Sequence, residues 1–328
     1  MYDIITFGSA TIDAFAKTKT ETISIKNNNS TEEFIAYLNG SKILIEELDF
    51  QIGGGGTNTA VGFSRLGLNT AFCGVIGKCK HKHQIIEQLE KEKIDFIGIE
   101  KEGQTGYSII LDSYVDDRTI LTYKGVNDLL EYKKIDKTKL KAKYFYFSSL
   151  MGKSFETFVK LTKYAKKNKI KVAFNPSSYI AKKGITYLKV PLKNSDILIF
   201  NLEEARLLTK EKDLEITKLI KKISSYGPKI VIITNGKNGT YVFDKKSEKI
   251  YFGPSKKMKV KETTGAGDAF SSGFVSGMIL KNDVKFSLNL GIANAQSVIK
   301  KIGAKNNLLT LKKAMNEIKK NEKIVVLR

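Results

Sequence analysis

Residues 261–274, with the sequence KETTGAGDAFSSGF, combine small residues and one carboxylate in an arrangement that suits phosphoryl transfer. The backbone amides of Gly265, Ala266 and Gly267 are predicted to form an anion-binding nest at the start of a helix. Asp268 would lie in the first turn, where the helix dipole favours its ionised form. The pattern predicts amides that hold a phosphate and a base that takes the proton from an attacking hydroxyl. A capped core helix behind a turn is the alternative interpretation.

A second glycine cluster lies within QIGGGGTNTAVGFSRLG, residues 51–67. Four consecutive glycines, Gly53–Gly56, precede Thr57 and Asn58 at the predicted start of another helix. Glycines at a helix N-terminus expose amides to a ligand, and the Asn58 side chain can donate to and accept from a polyhydroxylated ligand. The cluster does not match the G-x-G-x-x-G fingerprint, and the GKS at 152–154 lacks the rest of a Walker A loop. A flexible turn with an N-cap is the alternative.

The elements that must position these residues alternate in the second half of the chain. Short apolar segments at 170–175, 196–201 and 229–234 are predicted strands, and amphipathic helices separate them. Such alternation predicts a parallel sheet covered by helices on both faces. Residues 266–280 and 283–300 are predicted to form two packed helices.

The first half of the chain has extended segments without partner helices. The N-terminal segment MYDIITFGSA is predicted to be a first strand, because no basic region precedes its apolar run as in a signal peptide. Residues 42–50 are another predicted strand, and residues 108–123 a hairpin with Asp116 and Asp117 in its turn. These pieces would suit a small sheet that lies over one end of the main domain as a lid.

The formal net charge of +22 raises the question of nucleic acid or membrane binding. Of the 56 basic residues, however, four are arginine and 52 are lysine, and the lysines are spread over helix surfaces. Readers of bases and phosphates favour arginine, so nucleic acid is not predicted as the main partner. No apolar run approaches the roughly 20 residues that cross a bilayer, which predicts a cytoplasmic protein without a membrane partner.

The segment CKHKH, from Cys79 to His83, has metal-binding residue types. Structural zinc sites usually pair their ligands twice, and a second cluster is missing from the sequence. The segment is therefore predicted to be a polar loop before a helix, and its role stays open.

Taken together, GGGGTNTAVGFSRLG and TTGAGDAFSSGF resemble the two signature regions of the ribokinase-like (PfkB) carbohydrate kinase family. The resemblance covers nearly the whole chain, because DIITFGSATIDAF, NPSS (175–178), NLEEARLLT (201–209) and ITNGKNGTYVF (233–243) follow in the family's order. It implies one domain over residues 1–328 with a three-layer α/β/α fold, a central and mostly parallel sheet, and a small β-sheet lid. The lid would comprise segments of about 14–52 and 104–124.

The resemblance also implies an activity, the transfer of the γ-phosphate of ATP, with Mg²⁺, to a hydroxyl of a sugar, nucleoside or related small molecule. By position, Asp268 would be the catalytic base, and Gly265, Ala266 and Gly267 would form the anion hole. DIITFGSATIDAF resembles the family's first strand, which ends in a substrate-binding aspartate, here Asp13.

Further roles follow from the resemblance by position. The residues that would bind the substrate are Asp13, Gly54, Gly55, Asn58, Thr11 and Arg118, the last in the lid. The residues that would bind the nucleotide are Asn201, Glu204, Thr234, Gly236, Gly239 and Asn294. Glu204 would hold Mg²⁺ through water, and Glu262 stands where several members carry an aspartate that helps to bind a monovalent cation such as K⁺. Gly55 and Thr11 replace the lysine and asparagine of ribokinases proper, which puts ribose itself in doubt.

Two alternatives to a sugar kinase stay open from the sequence. One is a nucleoside kinase, such as an adenosine kinase, of the same fold, which an apolar or aromatic platform beside Asp13 would favour. The other is a non-catalytic, lysine-rich nucleic-acid-binding protein, which would bind DNA or RNA in a salt-dependent way without turning over ATP. Because dimers through the lid are common in the family, a homodimer is also expected.

Overall fold

The architecture is taken from a computed structural model that describes residues 1–18, 22–27, 30–112, 118–256, 258–320 and 323–327. The α-helices in these residues, in chain order, are α1 (Gly55–Arg65), α2 (Lys82–Lys91), α3 (Gly152–Lys167), α4 (Ser178–Ala181), α5 (Gly184–Asn194), α6 (Leu202–Thr209), α7 (Ile216–Ser225), α8 (Ala266–Lys281), α9 (Val284–Val298) and α10 (Leu311–Ile318).

The strands alternate with these helices in the second half of the chain, as predicted. In chain order they are β1 (Tyr2–Phe7), β2 (Thr11–Thr18), β3 (Thr22–Asn27), β4 (Ser30–Ile35), β5 (Ile45–Gly53), β6 (Thr70–Cys73), β7 (Val75–Gly77), β8 (Ile94–Phe96), β9 (Ile99–Lys101), β10 (Gly106–Asp112), β11 (Arg118–Tyr123), β12 (Ala142–Phe147), β13 (Lys171–Phe174), β14 (Ile197–Asn201), β15 (Ile230–Thr234), β16 (Thr240–Asp244), β17 (Lys249–Gly253) and β18 (Val325–Leu327).

The main sheet has ten strands in the order β18-β17-β16-β15-β14-β13-β12-β1-β6-β8. From β8 across to β15 neighbouring strands run parallel, and the three pairings from β15 to β18 are antiparallel. The sheet is therefore central and mostly parallel, which confirms the prediction. Parallel strands end at the same edge, so loops that follow β12, β13, β14 and β15 gather at one end of the molecule.

Helices cover both faces of this sheet because successive strand residues point to opposite sides. In β12, Phe145 and Phe147 pack on one face, where Phe147 lies 4.6 Å between ring centroids from Phe158 of α3. Tyr146 points to the other face and meets Phe63 of α1 at 5.4 Å. Helices α3, α5, α6 and α7 thus cover one face, and α1, α8 and α9 cover the other. The three-layer α/β/α architecture is confirmed.

A second sheet of four strands has the order β11-β10-β2-β5. The hairpin of β10 and β11 confirms the prediction for residues 108–123, although its predicted turn residues Asp116 and Asp117 lie outside the described residues. β5 begins at Ile45, later than predicted from residues 42–50. Ser108, Asp13 and Gln51 lie opposite one another in register and therefore share one face of this sheet.

The position of Asp13 corrects one sequence interpretation. The first strand ends at Phe7, and Asp13 lies on β2 of the smaller sheet, after the chain has crossed from one sheet to the other. The crossing is tight at Gly8, where a Cβ atom would lie 1.9 Å from the Ser148 hydroxyl and 2.8 Å from the backbone of Gly56. Asp13 is therefore held by a separate structural unit from the strands of the main sheet.

Helices α8 and α9 form the predicted packed pair. Gly273 and Gly277 allow the close approach, since a Cβ at Gly273 would lie 2.7 Å from the Leu290 carbonyl and one at Gly277 2.5 Å from the Ser287 Cα. Among the described residues, every helix is too short or too polar to cross a membrane.

Candidate active site

The two glycine clusters meet in the folded chain. The Asn58 side-chain amide, on α1, donates to the Asp268 carboxylate, on α8, at 2.9 Å across 210 residues of sequence. Asn58 is buried, and within the described part of the chain its side-chain oxygen has no hydrogen-bond partner. Gly55 faces the same point, because a Cβ there would lie 3.6 Å from the other Asp268 carboxylate oxygen. An acceptor-only carboxylate and an unused amide oxygen therefore lie side by side.

The tetraglycine segment serves backbone packing as well as this site. The amides of Gly56 and Thr57 donate to the Ser9 carbonyl at 3.1 and 3.3 Å. Gly54 has φ of +95°, and a Cβ there would lie 2.5 Å from the same carbonyl. The amides of Gly56 and Thr57 are therefore not open to a ligand, because the Ser9 carbonyl, in the chain that leaves β1, accepts their hydrogen bonds.

The second cluster begins α8 with a left-handed residue. Gly265 has φ of +78°, and a Cβ there would lie 2.4 Å from the Ala304 Cβ. The amide of Ala266 donates to the Thr263 carbonyl at 3.1 Å. The first amides of a helix have no acceptor within it, and no side chain of the described residues caps α8. Gly265 and Gly267 therefore carry the amides of the predicted nest that remain for a ligand, together with the positive end of the helix dipole.

The start of α8 lies between two cavities. Asp268 lines a cavity of about 240 Å³ whose other walls are mostly polar: Ser9, Gly55, Lys124, Asn127, Asp128, Ser148, Ser149, Leu150, Met151, Asn175, Pro176, Ser177, Tyr179 and Glu204. Gly267 lines a cavity of about 620 Å³ that is walled by residues of four regions: Thr234, Gly236, Lys237, Gly239, Thr240, Gly253, Pro254, Ser255, Lys256, Met258, Val260, Thr263, Ala266, Phe270, Ile292, Ala295, Gln296 and Ile299. Gly267 and Asp268, which are adjacent in the first turn of α8, thus line two different cavities.

Burial controls the charge of the carboxylates in the polar cavity. It raises the pKa of Asp268 to about 6, against the lowering effects of the Asn58 hydrogen bond and of the Lys305 ammonium, while the charge of Asp13 adds to the rise. The pKa of Glu204 is raised to about 7, again mainly by burial, and the charges of Glu203 and Asp268 contribute. Both groups therefore change charge close to neutral pH.

Asp13 is the third carboxylate near this point. Its carboxylate accepts from the Thr11 hydroxyl at 2.8 Å and lies against Gly53, where a Cβ would come within 1.8 Å of it. Burial raises the pKa of Asp13, opposed by hydrogen bonds from Thr11 and Ser108 and by the charge of Lys305. The small sheet therefore holds a carboxylate whose charge acts on Asp268.

The family model for pfkB carbohydrate kinases matches residues 3–311 of the 328-residue chain.

The chain belongs to the pfkB family of carbohydrate kinases.

Curated and solved relatives agree with this assignment. An uncharacterized sugar kinase of Archaeoglobus fulgidus is 30% identical over 251 residues, which are 76% of this chain and 98% of that protein. A 5-dehydro-2-deoxygluconokinase of Clostridium botulinum is 31% identical over 293 residues, 83% of this chain and 85% of its own. The solved structure of Arabidopsis thaliana ribokinase complexed with ribose and ATP has a TM-score of 0.81 at 20% identity, with 97% of this chain and 99% of that one covered, which shows the shared fold.

As a pfkB-family sugar kinase, the protein is a phosphotransferase with an alcohol group as acceptor. The structure brings most of the predicted site residues of this kinase together. Asn58 bonds to Asp268 and Gly55 lines its cavity, Thr11 bonds to Asp13, whose charge acts on Asp268, and Thr234, Gly236 and Gly239 share the larger cavity. Asn201 and Glu204 form a capping box at the start of α6, in which the Asn201 amide donates to Glu204 at 3.0 Å and the Glu204 amide donates to Asn201 at 2.7 Å.

Two further predicted site residues of this kinase, Asn294 and Glu262, are not among the described residues that line either cavity. Asn294 is fully buried, and its side chain donates to the Ala269 carbonyl at 2.8 Å and accepts from the Leu309 amide at 3.0 Å, so it ties α9 to α8 instead of lining the larger cavity. The Glu262 carboxylate accepts from the amide and hydroxyl of Thr264 at 2.9 and 2.8 Å in the loop before α8. The side chain of Arg118 lies outside the described part of the chain.

Sequence reasoning missed Lys305 of this kinase. Lys305 is buried, and its ammonium donates to the Ile52 carbonyl at 2.7 Å, the Thr57 hydroxyl at 2.9 Å and the Gln88 side-chain oxygen at 3.1 Å. Nothing in the neighbouring sequence IGAKNN separates it from the other lysines, because its burial depends on three elements that are distant in sequence.

Proposed function

We propose that this sugar kinase transfers the γ-phosphate of ATP to a hydroxyl of a sugar or sugar-like acid, with Asp268 as the base. The observation that carries the proposal is the position of the first turn of α8 between a polar cavity and a larger, partly apolar one. Phosphoryl transfer requires the acceptor and the nucleotide to approach from opposite sides of one point.

In this proposal the chain's own groups have separate tasks. Asp268 accepts the proton of the attacking hydroxyl, for which its carboxylate must be ionised. The amides of Gly265 and Gly267 hold the phosphoryl group as its charge develops, because such fixed dipoles need no reorientation during the reaction. The Ala266 amide, predicted as a third donor, is bonded to Thr263 and shapes the turn.

The polar lining favours a sugar over a nucleoside as acceptor. Asp13, Thr11 and Asn58 would provide hydroxyl partners, and Gly55 lines the cavity of Asp268 without a side chain. Phe15, on the same face of β2 as Asp13, is buried, and the aromatic residue nearest in register on β5, Phe50, lies on the opposite face of the small sheet and is more than half exposed. We include 5-dehydro-2-deoxygluconate among the candidate acceptors because similar proteins are named 5-dehydro-2-deoxygluconokinase.

The larger cavity fits a nucleotide. Thr234, Gly236 and Gly239 line the same cavity as Gly267, where the phosphates would lie. The large apolar residues of its lining suit a purine base: Met258, Val260, Phe270, Ile292 and Ile299.

The carboxylates present fit a Mg²⁺ ion that is held mainly by phosphates and water. Glu204 lines the cavity of Asp268, whereas the described residues contain no cluster of three or more His, Cys, Asp or Glu side chains for a metal cage. When bound, Mg²⁺ would neutralise phosphate charge, and Glu204 would hold it through water. Glu262, beside the glycine turn, is the proposed contact for K⁺ or another monovalent cation.

We further propose a single kinase domain over residues 1–328 with segments of about 14–52 and 104–124 as the lid. The four-stranded sheet would exclude water when it closes, and Arg118 on β11 would contact substrate or phosphate. A homodimer would form through this lid.

The proposal is tested with Asp268→Ala and Asp268→Asn. We expect kcat to fall by about 10²–10⁴ because the proton acceptor is lost, while circular dichroism shows an intact fold. ADP release is measured with ATP and Mg²⁺ over a panel of sugars, sugar acids and nucleosides, with and without K⁺. Asp213→Asn, at an exposed aspartate outside both cavities, is the matched control. Near-normal turnover by either Asp268 variant would remove it from the role of base.

A further inference from the structure

Lys305 is a buried lysine that the proposed mechanism does not use. Burial lowers the pKa of Lys305 to about 7, against the charges of Asp13, Asp268 and Glu92, so the ammonium form predominates below that pH. It lies between α9 and α10 and is 5% exposed, although most lysines of a protein keep their charge in water. An ammonium has three protons, and the Lys305 ammonium donates to three oxygens, those of Ile52, Thr57 and Gln88. The Thr57 hydroxyl can accept because its own proton goes to the Gly53 carbonyl at 2.6 Å. The side chain is therefore fixed in place.

The charges that face Lys305 come from four regions of the fold. Asp13 on β2, Asp268 on α8 and Glu92 after α2 are negative, and Arg65 on α1 is positive. Arg65 forms a two-point ion pair with Glu92 at 3.0 and 2.5 Å, so these two charges largely cancel. The carboxylates that remain for the Lys305 ammonium are those of Asp13 and Asp268.

Asp13 and Asp268 act on each other and on Lys305 through their charges. A negative charge disfavours ionisation of a second carboxylate but favours the protonated, charged form of the lysine. Each negative charge disfavours ionisation of the other, and burial acts in the same direction. A cation held nearby favours ionisation of both. The proposed base and the proposed substrate ligand must be unprotonated together before the acceptor arrives, which burial alone would oppose.

We propose that Lys305 is a positioning residue whose ammonium, held in place by three hydrogen bonds, favours the ionised forms of Asp13 and Asp268 together. Its hydrogen bonds also join the end of β5, at Ile52, to the first turn of α1, at Thr57, so the charge and the geometry of the site depend on one side chain. Its importance for turnover rests on the proposed function, whereas its effect on the two carboxylates does not.

The first experiment measures that effect without turnover. Protein labelled with ¹³C at aspartate carboxyl groups is titrated by NMR, and Asp268→Asn assigns the signal. In Lys305→Met we expect the Asp268 midpoint to rise by about one pH unit or more, because the neutral variant no longer favours the carboxylate. Lys305→Gln, which is neutral but can still donate, replaces Lys305→Met if that variant does not fold.

Two controls separate charge from structure. Lys305→Arg keeps the charge and should leave the midpoint close to that of the natural protein. The double variant Arg65→Met, Glu92→Gln removes the bond from Arg65 to the Lys305 carbonyl, at 2.8 Å, together with both charges of the ion pair, and so loosens the same loop without removing the Lys305 ammonium or leaving Glu92 unpaired. It should lower stability and leave the Asp268 midpoint within about 0.3 units of the natural protein's. An unchanged midpoint in a folded neutral variant overturns the proposal, as does the failure of both neutral variants to fold.

The second experiment uses the acceptor that the natural protein turns over in the panel. The acid limb of kcat/KM should move to higher pH in Lys305→Met by the same amount as the NMR midpoint, and Lys305→Arg should restore it. If no acceptor is phosphorylated, the proposed function fails while the NMR titration still decides the role of Lys305. An acid limb that stays in place while the NMR midpoint moves overturns the link to catalysis.

Discussion

At the residue scale, the ionisation of Asp268 sets the pH range in which the kinase can work. Its pKa is raised to about 6, mainly by burial. As the pH falls through this value the carboxylate takes up a proton and can no longer accept one, so kcat/KM should fall about tenfold per pH unit below it. Asp13, whose pKa is also raised, would steepen the fall.

A pH profile of kcat/KM from about 4.5 to 9 checks this expectation. The residual activity of Asp268→Asn should not fall below about pH 6 in this way, since no carboxylate remains at that position. A limb near the ordinary aspartate value of about 4 would show that burial does not control the group in solution.

The same raised pKa predicts a stability effect of Asp268→Asn. The folded pKa, about 6, lies above the ordinary value of 3.8, so ionisation favours the unfolded state at any pH above this window. A neutral side chain that still accepts from Asn58 should therefore raise Tm by about 1–3 °C at pH 7.5, although turnover is lost. Thermal unfolding at pH 7.5 and pH 4 checks it. The gain should vanish at pH 4, and a lower Tm at pH 7.5 would contradict the argument.

At the scale of elements, the turn before α8 places each glycine under a different constraint. Gly265 has φ of +78° and no room for a Cβ beside Ala304, whereas a Cβ at Gly267 would meet none of the described residues within 4 Å outside its own helix turn. Gly265→Ala should lose about 1–3 kcal/mol of unfolding free energy. Gly267→Ala should keep its stability but raise the KM for ATP, because the methyl group would occupy the proposed phosphate approach.

The pair is its own control, since both variants add one methyl group to the same turn. Urea denaturation gives the stabilities, and ATP titrations at saturating acceptor give the KM values. Equal losses of stability in the two variants would contradict the constraint on Gly265, and an unchanged KM in Gly267→Ala would place the phosphates elsewhere.

At the scale of the whole molecule, the small sheet exposes large apolar side chains on one of its faces. Phe50, Ile109 and Leu121 lie in one row of the register and are 56%, 39% and 52% exposed. Asp13 lies on the opposite face, so this row points away from the site. An apolar patch of this kind is typical of a surface that a partner covers, which supports the proposed dimer through the lid.

Charged variants of that row test the dimer. Phe50→Asp and Leu121→Asp should convert a dimer to a monomer in sedimentation velocity, because each would bury a carboxylate at the interface. Leu280→Asp places the same charge at another exposed leucine, on α8, and should leave the assembly unchanged. A natural protein that sediments as a monomer, or charged variants that remain dimers, would contradict the proposal.

Local patterns in the sequence determined the fold class of this protein. Continuous apolar segments separated by amphipathic helices predicted the parallel sheet, and the two glycine clusters predicted the starts of α1 and α8. These features depend on residues within a few positions of one another, where periodicity and the special conformations of glycine are expressed. The same clusters carried the resemblance that placed the chain among carbohydrate kinases.

Only the tertiary structure decided how the site is charged and which residues belong to it. The bond between Asn58 and Asp268, the burial of Lys305 and the core role of Asn294 join segments that are far apart in sequence. The residues next to Lys305 in sequence do not distinguish it from the other 51 lysines, which are mostly predicted to lie on the surface. Asn294 lies on a helix of small residues, from which an asparagine can face either a cavity or the core. The reason is physical: burial and electrostatic interaction depend on distances in space, which residue order alone does not specify.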